Sequence, residues 1–439
     1  MIRLPYAACF AAAITIAPLT RGVAQNPTQP DAVVLGLRYD PGTKPGVLVL
    51  RVAGASGDSI RAILQRDFDN GDRINVVAAD ETGFPDAPTA GKNGNYPLYA
   101  KLGAVALVQA TPTATGLHVA VHDVAQQKVA RVKDFIIDGA PNSRDWRMSV
   151  HNVSDELEAW VTGARGIAAT RVAYVQGLRN GRMYVVDSDG AFPTPVGDDS
   201  GVMSPSWHPK GTHLAYSVVT ARGCCQIYVL DLASGDARRI EAVGGGLNST
   251  PVFAPDGAVI VYTHGEESGT DLFATTVFER GPARRITVGR GSDNTSPTFS
   301  PDGRRLAFTS GRLGHPEIYI SDADGTNPQP LTYSVGDQNY RANPDWSPDG
   351  RLVAYQSQQA DGSFQLNTIS LRDHSVKQLT SDGSNEDASW APDSRHIIFS
   401  STRTGSKQLF VIDSESGRWR QLTRNGGVRL PAWSPPLTR

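Results

Sequence analysis

The sequence predicts an α/β N-terminal domain followed by an all-β six-bladed β-propeller closed by the C-terminal strand. Three observations carry this. An aromatic recurs inside a Pro-rich segment at Trp207, Phe253, Phe299, Trp346, Trp390 and Trp433, in steps of 46, 46, 47, 44 and 43 residues. Periods of ~40–50 residues holding several short strands are the signature of propeller blades. The segment before residue 164 lacks the repeat and mixes strand-like with helical periodicity.

Each copy reads the same way. The segments are Ser204-Pro-Ser-Trp207-His-Pro-Lys-Gly211, Thr250-Pro-Val-Phe253-Ala-Pro-Asp-Gly257, Ser296-Pro-Thr-Phe299-Ser-Pro-Asp-Gly303, Asn343-Pro-Asp-Trp346-Ser-Pro-Asp-Gly350, Ala388-Ser-Trp390-Ala-Pro-Asp-Ser394 and the partial Leu430-Pro-Ala-Trp433-Ser-Pro435. Ser300-Pro301-Asp302-Gly303 has the composition of a type I turn: a side-chain acceptor, then Pro with its fixed φ, and Gly last. Apolar strands follow, such as Leu352-Val-Ala-Tyr355 and then Glu317-Ile-Tyr319-Ile in the neighbouring unit, and each unit closes on a motif such as Gln378-Leu-Thr380. That is four short strands per period, the content of one blade. A lone blade cannot bury both faces, so the aromatics are assigned to the seams between blades. Five units are complete. A sixth, Thr170-Arg-Val-Ala-Tyr174 with Arg182-Met-Tyr184-Val-Val, lacks its aromatic strand, and the orphan copy at Pro431-Ala-Trp433 supplies it. Pairing the two chain ends removes the open edges that a split blade would leave.

Ahead of the repeat, Gly46-Val-Leu-Val-Leu-Arg-Val52, Ile74 to Ala78, Val105 to Val108 and His118 to His122 read as strands. Ser59–Asn70 places Ile60, Ile63, Leu64 and Ala62 or Phe68 on one helical face, and Tyr96–Leu102 reads as a short helix. In Ser143–Thr162, Trp146, Val150, Val153, Leu157 and Trp160 step by 4, 3, 4 and 3, and Gly163 stops the helix. Residues 84–95 read as a mobile loop.

The 439 residues carry a formal net charge of -2 and no Lys/Arg-rich run, which excludes a nucleic-acid or anionic-membrane binder as the first reading. Arg3, the apolar Leu4–Leu19 and Gly22-Val23-Ala24 have the layout of a secretory signal peptide over residues 1–24. No other segment is apolar enough to span a bilayer. Cys9 leaves with that signal, so Cys224-Cys225 remain, and adjacent cysteines enclose no loop to staple. Asp187-Ser-Asp189-Gly190 and Asp322-Ala-Asp324-Gly325 resemble calcium loops but lack the remaining ligands, and the turn reading fits both. There is no Gly-x-Ser-x-Gly, His-Glu-x-x-His or P-loop and no metal-ligand spacing among the nine histidines, so no catalytic residue, metal or cofactor is assigned and the chain is read as a non-enzyme.

Polar segments precede the aromatics at matching positions: Asn248-Ser249-Thr250, Asn294-Thr295, Asn339 with Arg341, Asn385-Glu386-Asp387 and Arg429. They are expected as loops ringing one channel mouth, and loops on a rigid scaffold are where binding residues usually sit.

The junction His151-Asn-Val-Ser-Asp-Glu-Leu-Glu-Ala-Trp-Val-Thr-Gly163-Ala-Arg-Gly166 running into Thr170-Arg171-Val-Ala-Tyr174, the ending Pro431-Ala-Trp-Ser-Pro435, and the order of signal, α/β domain and propeller together resemble the TolB family, periplasmic components of the Tol-Pal system. The resemblance implies a periplasmic, monomeric binding hub. It implies that the peptidoglycan-associated lipoprotein Pal docks on the propeller mouth. It also implies that TolA takes the N-terminal segment 25–45, through Val33, Val34, Leu35, Leu37 and Tyr39. The implied division of the chain is signal 1–24, partner-binding segment 25–45, α/β domain 46–163 and propeller 164–439. The alternatives left open are an exported propeller that binds a small envelope ligand in its channel and one that serves a hydrolase.

Overall fold

The structure, a computed structural model, describes residues 37, 42–78, 95–220, 225–244, 246–279, 281–288, 292–333 and 340–437. The signal-peptide region, Val33, Val34, Leu35, Tyr39, Cys224, Asn339 and nearly all of the 84–95 loop lie outside the described residues.

The N-terminal domain runs β1 (Gly46–Val49), α1 (Gly57–Gly71), β2 (Asn75–Val76), α2 (Tyr96–Lys101), β3 (Ala106–Pro112), β4 (Gly116–Asp123), β5 (Lys128–Ile136) and α3 (Arg144–Thr162). Its sheet has the order β2-β1-β3-β4-β5, parallel from β2 to β3 and antiparallel beyond. The apolar stripe of α3, from Trp146 to Trp160, is buried with Ile60, Ile63, Leu64 and Phe68 of α1 against that sheet. Phe68 completes the α1 face and Ala62 points to solvent. Ser143 caps α3 by accepting the Trp146 N–H at 3.3 Å, and Gly163 ends it at φ 81°, a left-handed conformation that a Cβ disfavours. Strand β5 was not among the expected elements. Most of its side chains are exposed, and it forms because β4 offers it an antiparallel partner along its whole length.

The propeller begins at β6 (Arg171–Gln176), β7 (Arg182–Asp187) and β8 (Thr194–Pro195). Five further four-stranded sheets follow, with inner strands Val202–Trp207, Leu247–Phe253, Asn294–Phe299, Arg341–Trp346 and Asn385–Trp390. The last strand, Val428–Trp433, pairs antiparallel with β6 and becomes the inner strand of the first blade, which makes six blades and closes the ring. The turn at Ser300 forms as its composition demands. The Gly303 N–H donates to the Ser300 carbonyl at 2.8 Å, Ser300 Oγ donates to Asp302, and Gly303 sits at φ 70°. The seam aromatics interlock: Trp207 Nε1 donates to the Ala432 carbonyl at 3.0 Å and Trp390 Nε1 to the Asp345 carbonyl at 3.1 Å, each reaching the neighbouring inner strand. Phe299 is only half-buried, the exception among the six.

Charged side chains dock the two domains. Arg418 donates to Asp69 at 2.7 Å and to Asp72 at 3.0 Å, and Arg73 reaches Asp393 at 3.0 Å. Arg418 and Arg395 also donate to the carbonyls of Asp69 and Asp72, so propeller cations bond the carbonyls that end α1 and complement its dipole. Asp72 is held at a left-handed φ of 52° by these partners and by Lys44. All these contacts lie at the end of the ring where the inner strands finish and the Asp187–Gly190, Asp393–Arg395 and Asp413–Arg418 turns sit. The opposite mouth faces away from the α/β domain.

Candidate functional site: the open mouth and the channel

At each inner strand the ladder to its neighbour slips at one place, just before or at the aromatic segment. Beside each slip a non-glycine residue has positive φ: Ser204 (49°), Thr250 (46°), Ser296 (52°), Asn343 (52°), Asp387 (58°) and Leu430 (52°). Such bulges re-aim side chains, and each left-handed residue costs ~1–2 kcal/mol, most severely for β-branched Thr250. A strained position repeated in all six blades marks the waist of the channel, and these residues line a cavity of about 350 Å³ there. Ser296 Oγ donates to Asn343 at 2.9 Å, and Thr250 shares a hydrogen bond with Thr263 at 2.7 Å. Two carboxyls belong to this lining. Burial pushes Asp345 up to about 7 against the N–H of Trp390 and the hydroxyl of Thr298, and burial likewise raises Asp387.

The expected mouth residues divide into two groups, and neither forms loops. Asn248, Ser249, Thr250, Asn294, Thr295, Arg341, Asn385, Glu386, Asp387 and Arg429 all lie within the inner strands, because the ladder continues through them. Asn248, Asn294 and Asn385 are fully buried. They serve a clamp repeated around the ring. At three seams the Thr that closes the unit, Thr287, Thr332 or Thr380, accepts a backbone N–H and donates to an acidic or amide side chain at the start of the third strand, which a residue of the next inner strand also engages. In one blade Thr380 Oγ1 donates to Gln365 Oε1 at 2.8 Å and Asn385 Nδ2 donates to the same atom at 2.8 Å. In others Thr287 and Asn294 donate to Asp271 at 2.7 and 2.9 Å, and Arg341 donates to Glu317 at 2.9 Å beside Thr332. Asn248 Oδ1 meets His264 Nδ1 at 2.8 Å instead. The buried amides therefore weld strand to strand rather than face a partner. Asn385→Ala, which takes one of two donors from Gln365 Oε1 and removes the amide donated to the Asp382 and Gly383 carbonyls, is expected to cost about 1–3 kcal/mol in chemical denaturation.

The remaining mouth residues are available at the surface or the channel wall. Glu386 pairs with Lys407 at 3.0 Å on the rim, Thr295 is half-exposed, and Arg429 donates to the Leu178 carbonyl at 3.3 Å. Around them the open mouth carries apolar side chains that the polar-loop reading passed over: Leu178 (72% exposed), Val288 (75%), Tyr333 (63%), and also Val219, Leu247, Leu313 and Tyr340. For Leu178, Val288, Leu313, Tyr333 and Tyr340, which lie outside the strands, the signal in the sequence is an apolar residue where no strand or helix periodicity asks for one. Scattered exposed apolar residues are ordinary, whereas these lie together around one opening.

Elsewhere, Leu37 of the N-terminal segment packs half-buried against the core of the α/β domain. Cys225 is buried at the start of its strand. Asp187 and Asp189 of the calcium-like turn are taken up by arginines, Asp187 by Arg144 and Arg171 and Asp189 by Arg66 and Arg147. Among the described residues no group of three His, Cys, Asp or Glu side chains is placed to hold a metal ion, and no helix is long and apolar enough to cross a membrane.

Fold and mouth together define a class: two-domain proteins in which a closed six-bladed propeller is docked on an α/β domain and presents its free channel mouth as a surface. Residues 159–437 match the family model described as the TolB beta propeller domain, and the chain belongs to the TolB β-propeller family. It is 29% identical over 306 residues to a "Tol-Pal system protein TolB" of Francisella tularensis subsp. mediasiatica, covering 66% of this chain and 69% of that one. The TolB of Francisella tularensis subsp. tularensis is likewise 29% identical over 306 residues, covering 68% of its length. In fold the chain is similar to the crystal structure of TolB from Acinetobacter baumannii, with a TM-score of 0.77 at 23% identity over 92% of this chain and 99% of that one.

Proposed function

We propose that this chain is a periplasmic protein-binding scaffold of the Tol-Pal system and not an enzyme. Its open propeller mouth takes the lipoprotein Pal, and its N-terminal segment, within residues 25–45 behind a signal peptide at 1–24, takes TolA. Together they support outer-membrane integrity and envelope constriction during division. The observation that carries the reading is the apolar rim, which lies at the mouth turned away from the α/β domain. An apolar patch rimmed by polar residues such as Glu386, Lys407 and Arg429 has the composition of a protein interface. The rim side chains hold up no core, so changing them separates binding from folding.

The test is binding of the purified soluble domain of Pal to the mature protein. Leu313→Asp with Tyr333→Asp is expected to weaken binding at least ten-fold while thermal unfolding stays within about 2 °C of the parent. Thr295→Arg with Glu386→Arg is expected to do the same from the strand side of the mouth. Unchanged affinity in both variants removes the mouth from the interface, and no binding by the parent overturns the Pal reading.

A second reading rests on the channel. A cavity of about 350 Å³ lined by Asp345 and Asp387 beside four tryptophans suits a small cationic envelope ligand. A thermal shift with such a ligand in the absence of any protein partner would favour it over the scaffold.

A further inference from the structure

Helix α3 carries a second stripe, about 100° round the helix from its apolar one: His151, Asp155 and Glu158, each 2% exposed or less. It faces the seam between domains. His151 Nδ1 lies 2.7 Å from Asp67 of α1, and its Nε2 lies 3.7 Å from Asp189 in the propeller turn after β7. Asp155 accepts the N–H groups of Ala168 and Ala169 at 2.7 and 2.9 Å, so one carboxyl grips the linker that leads into β6. Glu158 contacts Arg73 at 3.4 Å, and Arg73 in turn holds Asp393 of the propeller.

We propose that this stripe is a proton-operated latch: with its protons on, it keeps the linker and the Asp189 turn seated against α1 and α3, and loss of the protons releases the propeller to pivot on the α/β domain. The proposal is independent of which partners bind.

The charged groups facing the stripe come from every element packed on it. They are Arg66, Asp67 and Arg73 of α1, Arg147 on α3 itself, Arg165 in the linker, and Asp189, Asp393 and Arg420 of the propeller. Burial is the largest influence on His151 and pulls it down, but Asp67 and Asp189 outweigh it and the net direction is upward. Burial pushes Asp155 up to about 7 and Glu158 up to about 8, against the linker N–H groups in one case and Arg73 in the other. The signs agree. A group raised in the docked form takes up a proton on docking. Its contribution is complete below its ordinary solvated value, about 4 for the carboxyls and about 6.5 for the imidazole, and is lost as pH rises through the docked value. The latch therefore holds in acid and slackens through neutral into mildly alkaline pH. The arginine pairs at Asp69, Asp72 and Asp393 do not follow: Arg stays charged, and the His396 contact outweighs burial to hold Asp393 well below its ordinary value.

The test uses the full mature chain. Hydrogen exchange of amides 164–170 and 187–190, corrected for the intrinsic pH dependence, reads the opening constant, and small-angle scattering reads the pivot. Between about pH 6 and pH 8 the opening constant is expected to rise about tenfold per pH unit for each proton released. Glu158→Gln, a permanent mimic of the protonated acid, is expected to remove one such tenfold-per-unit increment. Asp155→Asn repeats the comparison should Glu158→Gln not fold. A wild-type opening constant that is flat across this range overturns the latch, as does a folded variant that keeps the wild-type slope.

Discussion

Deletion of residues 428–439 is expected to abolish cooperative unfolding of the propeller. The strand Val428–Trp433 is the inner strand of the blade that β6, β7 and β8 cannot complete by themselves. Without it the edge of β6 lies open on the channel. The Trp433 ring, buried with Ile167, Val172 and Ile398, is lost together with its Nε1 donation to Thr170 at 2.8 Å. Trp207 of the next blade loses its acceptor, the Ala432 carbonyl. Burial of an apolar side chain is worth about 1.5–3 kcal/mol, and several are lost along with a full ladder, so the sum rivals the ~5–15 kcal/mol that holds a domain folded. Calorimetry should show a broad transition displaced downward by well over 10 °C, with the α/β domain retaining its own melt. A truncated chain that melts like the parent would mean that the ring closes some other way.

Trp346→Ala is expected to destabilise the propeller by about 3–5 kcal/mol, the range for truncating a buried aromatic whose cavity cannot collapse. Trp346 is buried among Ile318, Leu331, Val353, Tyr355 and Ile369, where two blades meet, and Arg305 lies over its ring at 4.9 Å. A control isolates packing from hydrogen bonding. The indole N–H of Trp346 has no acceptor among the described residues, whereas that of Trp390 donates to the Asp345 carbonyl. Trp346→Phe should therefore cost less than Trp390→Phe, by roughly the ~1 kcal/mol of one net hydrogen bond. Equal costs at the two sites in urea denaturation would show that the indole donors contribute nothing to the seams.

The mouth and the seam show where sequence reading stops. Asn385 and Thr295 are both polar residues near the start of an inner strand, and local composition cannot separate them. One is sealed inside a clamp with Gln365 and Thr380 and the other is half-exposed, a difference set by side chains from distant parts of the chain. Leu178, Val288 and Tyr333 were passed over for the opposite reason: an isolated apolar residue in a turn carries no periodic signal, and only the ring brings several together at one opening.

The sequence by itself determined the six blades, the closure by both chain ends and the register of the long helix α3. Turn chemistry such as Ser300-Pro-Asp-Gly303 and the stepping of Trp146, Val150, Val153, Leu157 and Trp160 are local constraints, repeated or periodic, and local sterics read them out residue by residue. Tertiary structure alone decided strand β5, which exists because β4 pairs with it, and the burial of His151, Asp155 and Glu158. On an isolated α3 that stripe is the polar face and belongs in water. It is buried because α1, the linker and the propeller turn at Asp189 close over it, and burial depends on what covers a surface, which no window of sequence contains.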